Sequence, residues 1–138
     1  MKITIDKLDA DLHMEAANET GGKIRMDGTR SIEGLEGGMS PMQLLLAAAG
    51  GCSTIDIINI LKKQRQDLKS IRVDVDGDRQ KVNTYSEFKK IHMHYKLVGD
   101  LDPGKVEKAI ELSVGKYCSV SKILEKTSNI TYSFEIDS

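Results

Sequence analysis

Apolar and polar residues alternate at the start of the chain. Ile3 and Ile5, then Leu12, Met14 and Ala16, then Ile24 and Met26 recur with a period of two, the spacing of half-buried strands. Gly21-Gly22 and Asp27-Gly28 are turn signals around the third of these. Gly28, Gly34, Gly37 and Gly38 punctuate a stretch with little periodicity, which reads as a mobile loop. The pattern changes at Ser40-Pro41-Met42-Gln43. Serine can cap a helix, proline suits its first position, and glutamine completes a capping box. The helix predicted here runs to about Gln66. Apolar residues occupy nearly its whole circumference, so it is expected to be covered by protein on most sides. Gly50 and Gly51 in its interior cost about 1 kcal/mol each relative to alanine. A kink or a close neighbouring backbone would offset that cost.

Beyond the helix, Ile71-Arg72-Val73-Asp74-Val75-Asp76 and Ile91-His92-Met93-His94-Tyr95-Lys96-Leu97 predict two half-buried strands, joined by a polar connection through Asn83. Asp102-Pro103 starts another helix, with Val106, Ala109, Ile110 and Tyr117 at helical spacing. Val120, Ile123 and Leu124 predict a further short turn of helix, and Ile130 to Ile136 a closing strand. Strands, one long helix, strands, helices and a strand describe an α+β domain with helices packed on antiparallel sheet. Neither an internal repeat nor a low-complexity tract is present.

A chain of 138 residues is expected to form one domain, residues 1–138, around a single core. Its 20 basic and 21 acidic residues are interspersed, for a net charge of −1, so no charged face selects a nucleic acid. Met1-Lys2-Ile3-Thr4-Ile5-Asp6 does not read as a signal peptide. Residues 42–61 are apolar enough to need a membrane check. Gln43, Asp56 and Asn59 interrupt the run and Lys62, Lys63 and Arg65 follow, so the segment reads as a buried helix rather than a membrane span. Two cysteines are too few for a secreted disulfide scaffold, which makes the cytoplasm the expected compartment.

Those cysteines are the candidate chemistry. Cys52 follows Gly50-Gly51 in the apolar helix, and Cys118 lies in Lys116-Tyr117-Cys118-Ser119-Val120. Taken alone, both read as small core residues or as a redox pair. Asp56, one turn after Cys52, shares its face and opposes a thiolate, so an activating cation must come from elsewhere. His92 and His94 have the spacing of a two-ligand metal clip. They fall on the wetter face of their strand with Lys96 and read as exposed polar residues. Without a C-x-x-C pair or a phosphate-binding glycine loop, no metal or cofactor is expected.

The run Ser40-Pro41-Met42-Gln43-Leu44-Leu45-Leu46-Ala47-Ala48-Ala49-Gly50-Gly51-Cys52-Ser53 resembles the central-helix signature of OsmC/Ohr proteins, which are thiol-dependent peroxidases for organic hydroperoxides. A second signature is similar too: Glu111-Leu112-Ser113, then Lys116-Tyr117-Cys118-Ser119-Val120, then Asn129-Ile130-Thr131-Tyr132. Details around both cysteines resemble a YhfA-like branch. The likeness is firm over Met39 to Arg65 and Glu111 to Glu135, rests on pattern between these blocks, and is weak before Met39.

The resemblance implies an OsmC-like fold: an antiparallel sheet with a long buried central helix, in an intertwined homodimer. It implies that Cys52 is peroxidatic, attacking the O–O bond to become a sulfenic acid, and that Cys118 resolves it as a disulfide. The partners implied are an organic hydroperoxide, or another small apolar or electrophilic ligand, and an external dithiol reductant. Two positions depart from the family. Its glutamate after the signature proline is here Met42, and the arginine expected after the early Gly-Gly turn is here Lys23. Lys23, Arg25 and Arg30 are therefore the candidate activating cations. Lysine lacks the bidentate fork of arginine, which leaves open a weaker peroxidase, a different activation, or a non-peroxidase binding or sensing role on the same fold.

Overall fold

The computed structural model describes residues 1–8, 12–28 and 38–138. They fall into two compact units, Met1–Leu45 and Leu46–Ser138. In the first, β1 (Thr4–Lys7), β2 (His13–Ala17) and β3 (Lys23–Asp27) form an antiparallel sheet in chain order, as the period-two pattern predicts. Ala16 and Met26 are buried, whereas Ile3, Ile5, Leu12 and Ile24 remain exposed.

The long helix α1 spans Pro41–Lys63. Its start follows the capping logic: the Ser40 amide donates to Gln43 Oε1 at 2.9 Å, and the Gln43 amide donates to Ser40 Oγ at 3.2 Å. Its end lies earlier than Gln66. Arg65 takes a left-handed φ of 56°, and the Gln66 and Arg65 amides donate back to the carbonyls of Leu61 and Lys62. This paired closure ends the helix with a non-glycine residue. Lys62 and Lys63 in the last turn complement the helix dipole.

In the second unit β4 (Asp67–Val82), β5 (Tyr85–Asp100) and β6 (Asn129–Asp137) form a sheet in that order. β4 and β5 are an antiparallel hairpin closed at Asn83, which has φ 59°. Both strands are longer than the alternation predicts, because ladder bonds continue into the charged segments beside the turn, where no apolar pattern marks them. The sheet is mixed: β6 pairs with β5 in parallel, a correction to the all-antiparallel expectation. A parallel pair needs a crossover connection. Here it is α2 (Pro103–Leu112), a π turn (Ser113–Tyr117) and α3 (Ser119–Leu124). Asp102 caps α2 by accepting from the Gly104 amide at 2.8 Å.

The core of this unit is the inward row Ile91, Met93, Tyr95 and Leu97 of β5 against Ile57 and Leu61 of α1 and Val106, Ala109 and Ile110 of α2. Gly50 lets α1 approach the sheet, since a Cβ there would lie 2.8 Å from Val75 Cγ2. Gly51 faces open space. α1 is not covered on most sides within one chain: Leu45, Ala47, Ala48, Gly51, Ile55 and Ile58 are exposed. By length and composition α1 could cross a membrane, and 28% of its most apolar window is buried inside the chain.

Candidate functional site

Cys52 sits midway along α1, half-buried, and Asp56 follows one turn later on the same face. Cys118 arrives from the far side of the sheet crossover. The π turn closes when the Cys118 amide donates to the Ser113 carbonyl at 2.7 Å, and Cys118 then turns extended as the cap of α3. The widened turn brings the second cysteine to the first. The Cys52 and Cys118 sulfurs and an Asp56 carboxylate oxygen all lie within 4.8 Å of one another. Both thiols are free.

Ser113 ties these elements together. Fully buried, it shares its single hydroxyl proton between the Ser53 carbonyl at 2.9 Å and Asp56 Oδ2 at 3.3 Å. Below it, Ser53 Oγ and the Tyr95 hydroxyl share a 2.6 Å hydrogen bond. Burial pushes the Tyr95 phenol up to about 12 against the effect of the Ser53 bond, and the neighbouring Cys118 adds to the rise. Burial also pushes the Cys118 thiol up. The Ser121 hydroxyl and amide, the latter at 3.4 Å from the sulfur, oppose that shift, and Cys52 adds to it. Asp56 further lines a groove of about 590 Å³ with Asn59, Ile60, Lys63, Leu112 and Tyr117.

The two predicted cysteines are thus brought together. Lys23 and Arg25 lie on β3 in the first unit, largely exposed, and face Glu15 across the β2–β3 pair at 3.7 and 3.9 Å. Arg30 lies outside the described residues. Met42, in the first turn of α1, is half-buried and brings no charge. His92 and His94 share the polar face of the sheet as predicted, where both rings bond Ser133 Oγ, at 2.8 and 2.6 Å. Sequence reasoning placed Asp56 beside Cys52 but missed Ser113 and Tyr95. Ser113 had a faint signal, five residues before Cys118 with Gly115 between them, the spacing of a widened turn.

The family model described as OsmC-like protein matches residues 33–133. The chain is similar to Protein YhfA of Escherichia coli strain K12, with 41% identity over 118 residues, covering 85% of this chain and 84% of that protein. A structure solved by structural genomics superposes with a TM-score of 0.86 at 36% identity, spanning 99% of this chain and 98% of that one. The crystal structure of an organic hydroperoxide resistance protein OsmC from Legionella pneumophila shares the fold, with a TM-score of 0.73 at 16% identity over 98% of this chain and 97% of that one.

Proposed function

On the premise that the chain belongs to the OsmC-like protein family, we propose that it is a thiol-dependent peroxidase that reduces hydroperoxides, organic ones foremost. The observation that carries this reading is the approach of the Cys52 and Cys118 sulfurs at the junction of α1 and the π turn. In the proposed cycle the Cys52 thiolate takes the terminal oxygen of the hydroperoxide. The O–O bond breaks, the alcohol leaves, and Cys52 becomes a sulfenic acid. The Cys118 sulfur displaces that oxygen as water and closes the disulfide. An external dithiol returns the two electrons by exchange. Cys52, the less buried sulfur, is the one a substrate reaches first. The groove beside Asp56 offers the leaving alcohol an apolar wall at Ile60, Leu112 and Tyr117.

The working unit in this reading is one OsmC-like domain in a homodimer, in the reducing cytoplasm. Support for the dimer comes from the exposed stripe Ala47, Ala48, Gly51, Ile55 and Ile58, since each isoleucine gains about 1.5–3 kcal/mol when buried. The small residues let a second helix approach closely. A central Asp56 and Asn59 favour a protein partner over lipid. Met42 in place of the family glutamate, together with Asp56 beside the thiols, favours a second reading: a sensing or binding protein in which the same pair oxidises without turnover.

Turnover of an organic hydroperoxide with a small dithiol as reductant tests the proposal. The expected result is consumption that Cys52→Ser abolishes and that falls at least tenfold, a barrier rise of about 1.4 kcal/mol, when one of Lys23, Arg25 or Arg30 becomes alanine. Oxidation of the wild type once, without turnover, supports the sensing reading. No oxidation at all removes both.

A further inference from the structure

Asp56 has no use in the peroxidase cycle. A carboxylate beside two thiols supplies none of the positive charge that activates a thiolate, and among the described residues it pairs with no cation. Its side chain accepts instead from the neutral Ser113 hydroxyl. The same three groups, treated as a set, are coherent. We propose that Cys52, Asp56 and Cys118 form a binding site for a thiophilic divalent cation of the zinc class, with a fourth position open to water or an exogenous ligand.

The donors come from two separately fixed elements. Cys52 and Asp56 are four residues apart on α1, so they project side by side. Cys118 is held by the 2.7 Å bond of its own amide to the Ser113 carbonyl. Zinc–sulfur bonds of about 2.3 Å and zinc–oxygen bonds of about 2.0–2.2 Å put tetrahedral ligand atoms roughly 3.5–3.8 Å apart. The three donor atoms already lie within 4.8 Å of one another, so rotamer adjustments of about an ångström close the set. Two thiolates and one carboxylate carry three negative charges, which repel without a cation and attract with one. Ser113, donating to Asp56 Oδ2, is the outer hydrogen bond that fixes a ligating carboxylate. Two sulfurs select zinc, cadmium or cobalt over magnesium and calcium.

The sulfurs bind the cation as thiolates, so the cation competes with protons and affinity rises with pH. It also uses both sulfurs that a disulfide would use, so cation and disulfide exclude each other. A hydroperoxide that oxidises the loaded site takes two electrons from the thiolates and two protons from solvent. It leaves an alcohol, water, a disulfide and the released cation. The cation therefore acts as a cap on the thiol pair that oxidation removes. His92 and His94, the ligands that sequence spacing suggests first, are not members of this group.

The test is metal binding by the reduced full-length protein with no hydroperoxide present, so that its failure is separable from a failure of turnover. Cobalt(II) is the spectroscopic probe and zinc(II), in competition with a chelator, the affinity probe. The expected result is one cobalt per chain with the intense visible absorption of a tetrahedral thiolate site, displaced by zinc. Protons are released on binding, and the oxidised protein binds no cobalt. Asp56→Asn is expected to weaken zinc at least tenfold while both thiols still react with a thiol reagent. Should that variant fold poorly, proton release and the oxidised wild type decide. An octahedral cobalt spectrum, equal binding by oxidised and reduced protein, or unchanged affinity in a folded Asp56→Asn overturns the proposal.

Discussion

Alanine at Gly50 and alanine at Gly51 are the same chemical change on adjacent positions of one helix, and the structure gives them opposite consequences. Each substitution gains about 0.8–1.0 kcal/mol of helix propensity. At Gly50 the new Cβ lands 2.8 Å from Val75 Cγ2 and 3.3 Å from Val73 Cγ1. Valine is stiff about χ1 and both residues are fixed in β4, so the helix must move away from the sheet. Overpacking of this kind costs about 1–3 kcal/mol, and the expected balance is a loss of roughly 1 kcal/mol. At Gly51 nothing lies within 4 Å, so a chain standing alone keeps the whole gain. If a second α1 covers that face, the gain turns into a loss that is largest at high protein concentration and shrinks on dilution, because the stabilisation that dimerisation gives the parent falls with protomer concentration. Urea unfolding of both variants under reducing conditions, at two protein concentrations tenfold apart, reads all of this. A Gly50→Ala variant that unfolds at higher urea than the parent, with an unchanged slope, refutes the packing argument.

Four further outcomes follow from the same structure. Tyr95→Phe removes the 2.6 Å bond to Ser53 and is expected to cost about 1–2 kcal/mol, measured by the same unfolding. Ultraviolet titration of the parent should show this tyrosine protonated until about 12. The raised Cys118 pKa gives a pH dependence of defined sign. Its contribution to stability is fully present below the unfolded thiol value and is lost as pH rises through the higher folded value, so reduced protein should lose stability at alkaline pH and Cys118→Ser should flatten that slope. Sedimentation at micromolar concentration is expected to give a dimer, and Ile55→Asp with Ile58→Asp a monomer; a monomeric parent contradicts the reading of the exposed helix face.

Much of the architecture was legible because it is written in local chemistry. Ser40, Pro41 and Gln43 announce α1, Asp102 and Pro103 announce α2, and the alternation through Ile91 to Leu97 matches the buried row of β5 residue for residue. What was illegible depends on pairing between distant segments. Nothing in Ile130 to Ile136 says that β6 lies parallel to β5, since alternation is the same in either direction. The extension of β4 and β5 through Asp78 to Val82 and Tyr85 to Lys90 is carried by backbone bonds that side chains do not encode. The site divides the same way. Both cysteines stood out from their surroundings, and the family resemblance paired them. Asp56 was visible one turn from Cys52, but its convergence with Cys118 depends on the π turn at Ser113, where an extra residue shifts everything after it. The helix face exposed in one chain reads in sequence as buried, because periodicity reports apolarity and not burial.

The central claim is that Cys52 and Cys118 act as one redox pair. Reduced protein given one equivalent of an organic hydroperoxide, then alkylated, digested without reductant and mapped by mass spectrometry, tests it most directly. The account predicts a single intrachain Cys52–Cys118 peptide, with Cys118→Ser trapping a sulfenic acid at Cys52 and Cys52→Ser remaining unreactive. Recovery of both cysteines as alkylated thiols, or a sulfenic acid at Cys118 in Cys52→Ser, contradicts it.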